Sequence, residues 1–428
     1  MRTESFGVWP TKRLKYSVSL RSSRFTGAGD PRPFLGLEHI ESFTGRYLSV
    51  PMTDSSDAEA TAQSLTSVFH VGDVLFGKLR PYLAKAWVAE FAGLCSTEFL
   101  VMRPEDYDAR FLRYILLSRD FIDAVDASTF GSKMPRADWN FIGNMALPVP
   151  AVEVQLRVAD YLDRETAQLD AVIASKKRML RLVAEKRRAL ITRAVTRGID
   201  PSAPLRESGI PWLGAIPAHW GVTKTAWLFR HRDERGEPQL PLLEVSINSG
   251  VTLREFSSER IESTAADFNT YKISRRGDIV FNKMRMWHGA VGVAPEDGLV
   301  SPDYVVAAPT GAMSPAFAGL LFRTEMFSAE CARHSHGIVW DRLRLYWEGF
   351  RDIRVPLPPP TEQEQVVAKV DRECAKLDRV RLVTERSILL LKERRAALIA
   401  AAVTGQLPIL ESAELTSSEE EMACSSTT

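Results

Sequence analysis

The chain is written twice, and any fold proposed for it must accommodate that. Gly72-Asp-Val-Leu-Phe-Gly-Lys-Leu-Arg80 returns 205 residues later as Gly277-Asp-Ile-Val-Phe-Asn-Lys-Met-Arg285, and Ser96–Val101 lies over Ser301–Val306 without a gap. At an offset of 208, Pro148-Val-Pro150 falls over Pro356-Leu-Pro358, Asp163–Asp170 over Asp371–Asp378, and Glu185–Ile191 over Glu393–Ile399. Ungapped agreement over two long segments is a tandem duplication, so two units of one design are expected rather than a single large core.

Each copy has the same internal order. A mixed region of about 150 residues comes first, the size of one domain. A proline-rich stop follows, and then a long helix. Short apolar runs such as Asp73–Phe76, Phe99–Met102, Asp278–Phe281 and Tyr304–Ala307, separated by Gly, Pro and Ser, predict short strands. One helix is expected near Arg110–Val125 and one near Ala316–Cys331. No Gly or Pro occurs from Glu153 to Thr196 or from Glu362 to Val403, and Thr361-Glu-Gln-Glu364 reads as a capping box after three prolines. A helix over Glu153–Thr196 would be about 66 Å long at ~1.5 Å per residue. Heptad steps through Leu162, Leu169, Val183 and Leu190, and through Val370, Leu377, Leu391 and Leu398, are interrupted by polar residues. That pattern fits two-helix packing better than a continuous zipper. The fold class expected is α+β: two tandem mixed α/β domains separated by two long antiparallel, coiled-coil-like helices in a pseudo-twofold arrangement. The boundaries expected are 1–150 and 199–355 for the mixed domains, 151–198 and 356–408 for the helices, and a disordered Ser- and Glu-rich tail at 409–428.

Composition removes several function classes. Lys plus Arg number 55 against 54 Asp plus Glu, a net charge of +1, so a uniformly basic nucleic-acid binder is excluded while local basic loops are not. Four cysteines (Cys95, Cys331, Cys374, Cys424) without CxxC spacing argue against a disulfide scaffold or zinc knuckle and fit a reducing cytoplasm. The start has no apolar signal-peptide core, and no stretch of eighteen uncharged apolar residues suggests a membrane span.

Catalytic patterns fail on inspection. Gly72–Lys78 has P-loop spacing, but Leu79 stands where Ser or Thr would ligand magnesium, Pro81 blocks the helix that should open there, and the repeat replaces the second glycine with Asn282. The histidines form no HExxH or other paired ligand set, and no GxSxG or GxGxxG occurs. Asp73 and Asp278 read as acids closing a turn after glycine rather than as nuclease acids. No catalytic residue, metal ligand or bound cofactor is expected.

The duplicated chemistry is basic. Lys78 and Arg80 recur as Lys283 and Arg285, each after a strand, and their loops continue through Tyr82 or through Trp287 and His288. Near the end of each mixed region come Lys133, Arg136, Asp138 and Trp139 in one copy, and Trp340, Asp341, Arg342 and Arg344 in the other. Lys and Arg on loops beside aromatics suit phosphate contacts and base-edge reading. They equally suit ordinary solvated loops, and the residues alone leave the two readings about even.

The order of these parts resembles the specificity subunit of type I restriction-modification systems over about residues 9 to 408. The Gly-Asp-hydrophobic-hydrophobic-Phe-x-Lys-x-Arg segments, the helix start Pro358-Pro-Pro-Thr-Glu-Gln363 and the Gly214-Ala-Ile-Pro-Ala-His-Trp220 opening of the second copy carry the resemblance. It implies two target recognition domains, each reading half of a bipartite site in double-stranded DNA, and two spacer helices that dock two modification subunits. It also implies that S-adenosylmethionine, ATP and magnesium belong to the modification and restriction subunits, so this chain would be no enzyme. The DNA-contacting residues would be Lys78, Arg80, Lys133, Arg136, Lys283, Arg285, Arg342 and Arg344. The alternative is a specificity subunit of a methylation-only system or, further off, a stand-alone nuclease. Two departures stand out: Ala151-Val-Glu-Val-Gln155 lacks the Glu-Gln pair, and Asn282 and Trp287 make the second loop unlike the first, which implies two different half-sites.

Overall fold

The computed structural model describes residues 9–25, 32–49, 65–129, 134–254, 268–337 and 343–407. The expected tail at 409–428 lies outside them, as does Cys424. Two units divide the chain: residues 1–177 with 386–428, and residues 178–385. The fold is mixed α and β, as expected.

In the first unit, β1 (Val18–Leu20), β2 (Val74–Gly77), β3 (Ala86–Val88) and β4 (Phe99–Pro104) form an antiparallel sheet in the order β1-β4-β2-β3. In the second unit, β5 (Phe229–Arg232), β6 (Ile279–Asn282), β7 (Val291–Val293) and β8 (Tyr304–Pro309) repeat that topology as β5-β8-β6-β7. Strands β2 and β6 are buried along their whole length, which is why they read as continuous apolar runs rather than alternating ones.

The helix expected over each mixed region is two helices. In the first unit α1 spans Ala109–Leu117 and α2 spans Arg119–Ala127; α3, the first long helix, spans Val152–Arg197, its residues up to Lys177 in the first unit and the rest in the second. In the second, α4 covers Pro315–Phe322 and α5 covers Glu325–Arg333; the second long helix, α6, covers Pro360–Val403, its residues up to Glu385 in the second unit and the rest in the first. The break falls at Ser118 and Thr324, both extended, and each hydroxyl donates to a carbonyl of the preceding helix, Ile115 or Leu321, at 2.7 Å. A small hydroxyl residue that satisfies the end of one helix and opens the next outweighs the helical propensity on either side.

The long helices are where the sequence places them, with 46 and 44 residues. Helix α6 starts at Pro360, one residue before the proposed cap, so Thr361 lies inside the first turn and no capping box forms around it. Proline at the first helical position has the right φ and no N–H to strand, and the Glu362 and Gln363 amides donate to the Pro359 carbonyl. Within each unit the helix segments run antiparallel. Val158, Ala159 and Leu162 of α3 share a core with Ile399, Ala402 and Val403 of α6, and Asp170 pairs with Arg395 at 3.1 Å. In the second unit Ala194 and Val195 meet Val366, Val370 and Cys374, and Arg187 pairs with Asp378 at 3.2 Å. The buried positions Val370, Cys374, Thr384, Ile388 and Arg395 follow the heptad steps, polar interruptions included.

One side chain per unit ties the mixed region to its long helix. Gln155 is fully buried; its Oε1 accepts from the Asp108 amide at 2.8 Å, and its Nε2 donates to the carbonyls of Asp106 and Pro150. Gln363, 208 residues later, does the same with the Ser314 amide and the carbonyls of Ala312 and Pro358. The glutamine of the Glu-Gln pair is therefore present in both copies, and only the glutamate is missing from the first. Among the described residues, no helix is long and apolar enough to cross a membrane. Cys95, Cys331 and Cys374 are free and buried, and burial pushes the Cys95 thiol up to about 12.

Removing either amide leaves a buried N–H and two carbonyls unpaired. Gln155→Ala and Gln363→Ala are each expected to cost about 1–3 kcal/mol in urea unfolding. Unchanged unfolding midpoints for both variants would show that the amides do not hold the fold.

Candidate nucleic-acid interface

The basic loops grow out of the central strands. Beyond β2 the chain turns outward at Lys78, whose amide donates to the Glu98 carbonyl at 2.9 Å and whose carbonyl accepts from the Ala137 amide at 2.9 Å. The Arg80 amide donates to Pro135, so the segment 135–137 runs beside the loop as a short bridge between Leu79 and Arg136. In the second unit the same crossing is made by the Leu345 amide on the Lys283 carbonyl at 2.9 Å. Structure thus brings Lys78, Arg80 and Arg136 together, and likewise Lys283 with the Arg344 segment. Lys133 and Arg342 lie outside the described residues.

The arginines of this cluster are not equivalent. Arg80 and Arg285 are exposed, and among the described residues neither guanidinium has an ion-pair partner. Arg136 is engaged: its guanidinium grips both oxygens of Glu98 at 3.0–3.2 Å. Lys283 donates to the Pro302 carbonyl at 3.2 Å, and Arg344 is exposed while its backbone pairs both ways with His336.

The two tips differ in backbone as well as sequence. Arg80 sits at φ 52° and Ala84 at φ 46°, left-handed conformations that non-glycine residues seldom adopt, flanking a short turn over Pro81–Leu83. In the second unit the turn covers Met286–His288, Gly289 takes the left-handed position at φ 84°, and Arg285 is at φ −129°. There the Asn282 side chain accepts from the Met284 amide at 2.9 Å, which pins the loop entry. Trp287 donates its Nε1 to the Met284 carbonyl and lies against His288 with ring centroids 3.6 Å apart.

At the opposite end of each strand sits the acid that the sequence reads as turn-closing. Asp73 and Asp278 are almost fully buried; one oxygen of each accepts from the amide three residues back, His70 or Arg275, at 2.8 Å. Each also pairs with an arginine beside the edge strand: Asp73 with Arg21, and Asp278 with Arg232 at 2.9 Å. Neither arginine belongs to a repeated motif, although an arginine closes or follows the first sheet strand of both copies. Burial raises the Asp278 carboxyl above the usual range, opposed by the Arg275 amide and by Arg232. His231, which belongs to no sequence motif, stacks on Trp347 at 5.2 Å, and burial, then the charges of Lys272 and Lys283, lower its basicity. Among the described residues, no group of His, Cys, Asp and Glu could hold a metal ion.

A carboxyl whose folded pKa lies above its unfolded one stabilises the fold most below the unfolded value and loses that contribution as pH rises through the folded value. The stability difference between wild type and Asp278→Asn should therefore move against wild type as pH climbs from about 4, the ordinary carboxylate range. Urea midpoints across pH check this, and a pH-independent difference would contradict it.

No family model matches the chain. It is 26% identical over 138 residues to the Type I restriction enzyme EcoDI specificity subunit of Escherichia coli, an alignment covering 32% of this chain and 30% of that protein. It is 21% identical over 365 residues to the Type I restriction enzyme EcoBI specificity subunit of Escherichia coli, covering 78% of this chain and 73% of that protein. In three dimensions it matches a chain from a solved type I R-M system, described for complex assembly and conformational transition, with a TM-score of 0.63 and 19% identity over 94% of this chain and 98% of that one. The structural likeness gives the fold. The curated relatives are specificity subunits, the family that the duplicated motifs resemble.

Proposed function

We propose that this chain is the non-catalytic DNA-recognition subunit of a type I restriction-modification complex, acting in the cytoplasm. Regions 1–150 and 199–355 serve as the two target recognition domains. The helices at 151–198 and 356–408 serve as spacers that dock two modification subunits and, through them, restriction subunits. S-adenosylmethionine, ATP and magnesium then act in those partners. The observation that carries this reading is one strand-exit loop, built twice on the same backbone crossing, with a basic tip that differs between copies. A shared scaffold with divergent tips is what two readers of two different half-sites need.

Within the proposed contact set, Arg80 and Arg285 are the residues for direct reading, since a guanidinium free of protein partners can pair bidentately with a guanine edge. Lys78, Lys133, Lys283, Arg342 and Arg344 supply phosphate contacts. Arg136, already clamped on Glu98, holds the loop in place and offers its outer edge to DNA.

Arg80→Ala and Arg285→Ala in the assembled methyltransferase should each weaken specific binding by about 1–3 kcal/mol and relax preference at one position. Assembly and thermal stability should be unchanged, and unchanged affinity and salt dependence in both well-folded variants would remove these loops from the DNA surface. Replacing residues 9–147 by the matching region of a relative should alter one half-site and leave the other as it was. A change in both half-sites, or in neither, would refute one reader per copy.

A further inference from the structure

The duplication makes each unit a control for the other, and the second unit has a cluster of arginines that the first does not repeat position for position. A cleft of about 1110 Å³ opens between the last turns of α3, the Asn248–Gly250 turn and α4. Five arginines line it: Arg187, Arg188, Arg193, Arg197 and Arg323. Only two carboxylates, Glu185 and Glu325, share the lining, so it carries three net positive charges.

Part of that charge is already committed. Arg187 pairs with Asp378, and Arg188 pairs with Glu325 at 2.8 Å with both side chains largely exposed, where ion pairs are worth little. Arg323 donates to the carbonyls of Ile247 and Asn248, and neither carries a full charge. Arg193 and Arg197 are exposed, and among the described residues neither has a hydrogen-bond or ion-pair partner for its guanidinium. They lie four residues apart, so both face the same way about 6 Å apart along the helix. Like charges in that relation weaken a helix unless an anion sits between them.

In the first unit the corresponding helix positions carry fewer arginines. Counting 208 residues on, Arg188, Arg193 and Arg197 become Ala396, Ala401 and Gly405; Leu117, just before the helix break at Ser118, stands where Arg323 stands just before the break at Thr324. Arg395, the counterpart of Arg187, is buried against Asp170 and donates to the Phe43 carbonyl at 2.9 Å. The Phe43–Gly45 turn packs close to the sheet: a Cβ on Gly45 would come within 2.1 Å of the Ala86 carbonyl oxygen and 3.3 Å of the Leu117 side chain. The arginines are therefore not needed to build this fold.

A neighbouring cavity of about 590 Å³ shares Arg188, Arg323 and Glu325 with the cleft and reaches Trp287 and His288. The arginine cleft thus continues from the loop carrying Arg285. We propose that the cleft is a phosphate-binding track for duplex DNA flanking the half-site read by the second unit, with Arg193 and Arg197 as its principal contacts. This inference rests on the DNA-recognition reading and adds to it an anchor, indifferent to sequence, on one side only. Guanidiniums one helical turn apart can each meet one of two phosphates on the same strand, which carries a charge for every ~3.4 Å of duplex axis.

The test uses the full chain and a random-sequence duplex, titrated across a potassium chloride series. Two phosphate contacts should make log K against log salt steeper by about 1.8. Arg193→Gln with Arg197→Gln should therefore give a slope shallower by that amount. Removing equal charge outside the cleft, with Arg178→Gln and Arg181→Gln, should leave the slope unchanged. An unchanged slope in the cleft variant, or an equal loss in both variants, overturns the proposal. So does loss of ATP binding in the cleft variant with its DNA slope intact, which would make the cleft a free-nucleotide site. Because the duplex carries no target site, failure of sequence reading would appear separately, as an absence of preference in the wild-type complex.

Discussion

A buried, uncharged amide holds each unit together. Gln155 and Gln363 join three backbone segments at one point: the first turn of a long helix, the proline stop before it, and the turn that opens α1 or α4. A carboxylate or ammonium could bridge the same groups only by losing its hydration, which burial penalises heavily. Glutamine offers one acceptor and two donors with no charge to desolvate, and all three are used. The sheet and its loops are thereby fixed to the helix they rest on, as reading a rigid duplex requires.

Around that joint, what is duplicated and what is not separate by role. The buried acid, its arginine and the backbone crossing from Ala137 or Leu345 occur in both units, all behind the loop. The tips diverge: a left-handed Arg80 before proline in one, an Asn282-capped turn ending in glycine in the other. Divergence confined to the exposed end of a common scaffold allows the recognised sequence to change without altering the core.

Much of this was legible in the sequence, for physical reasons. Long stretches free of Gly and Pro with a heptad pattern can hardly be anything but helices, and an ungapped repeat imposes two similar units. Side-chain pairings across the fold were less visible. Arg21 and Arg232 are not separated by either repeat offset, so their shared role appears only once the strands are paired. The role of Gln155 is hidden in the sequence because the Glu-Gln pair is incomplete there, whereas the hydrogen bonds depend on glutamine alone. The helix breaks at Ser118 and Thr324 lie within apolar periodicity that continues on both sides, so tertiary packing and a local hydroxyl override propensity there. Of the proposed contact residues, Lys78, Arg80, Lys283 and Arg285 lie on the loops where the sequence places them.

The central claim is that one chain reads two unlike half-sites and directs modification there. Mapping methylated adenines across the genome of a host with and without this gene tests it most directly. A single bipartite motif is expected, two different short sequences at a fixed spacing, methylated only when the gene is present. Adenine methylation unaffected by its loss, or a gene-dependent motif that is one continuous sequence, would contradict it.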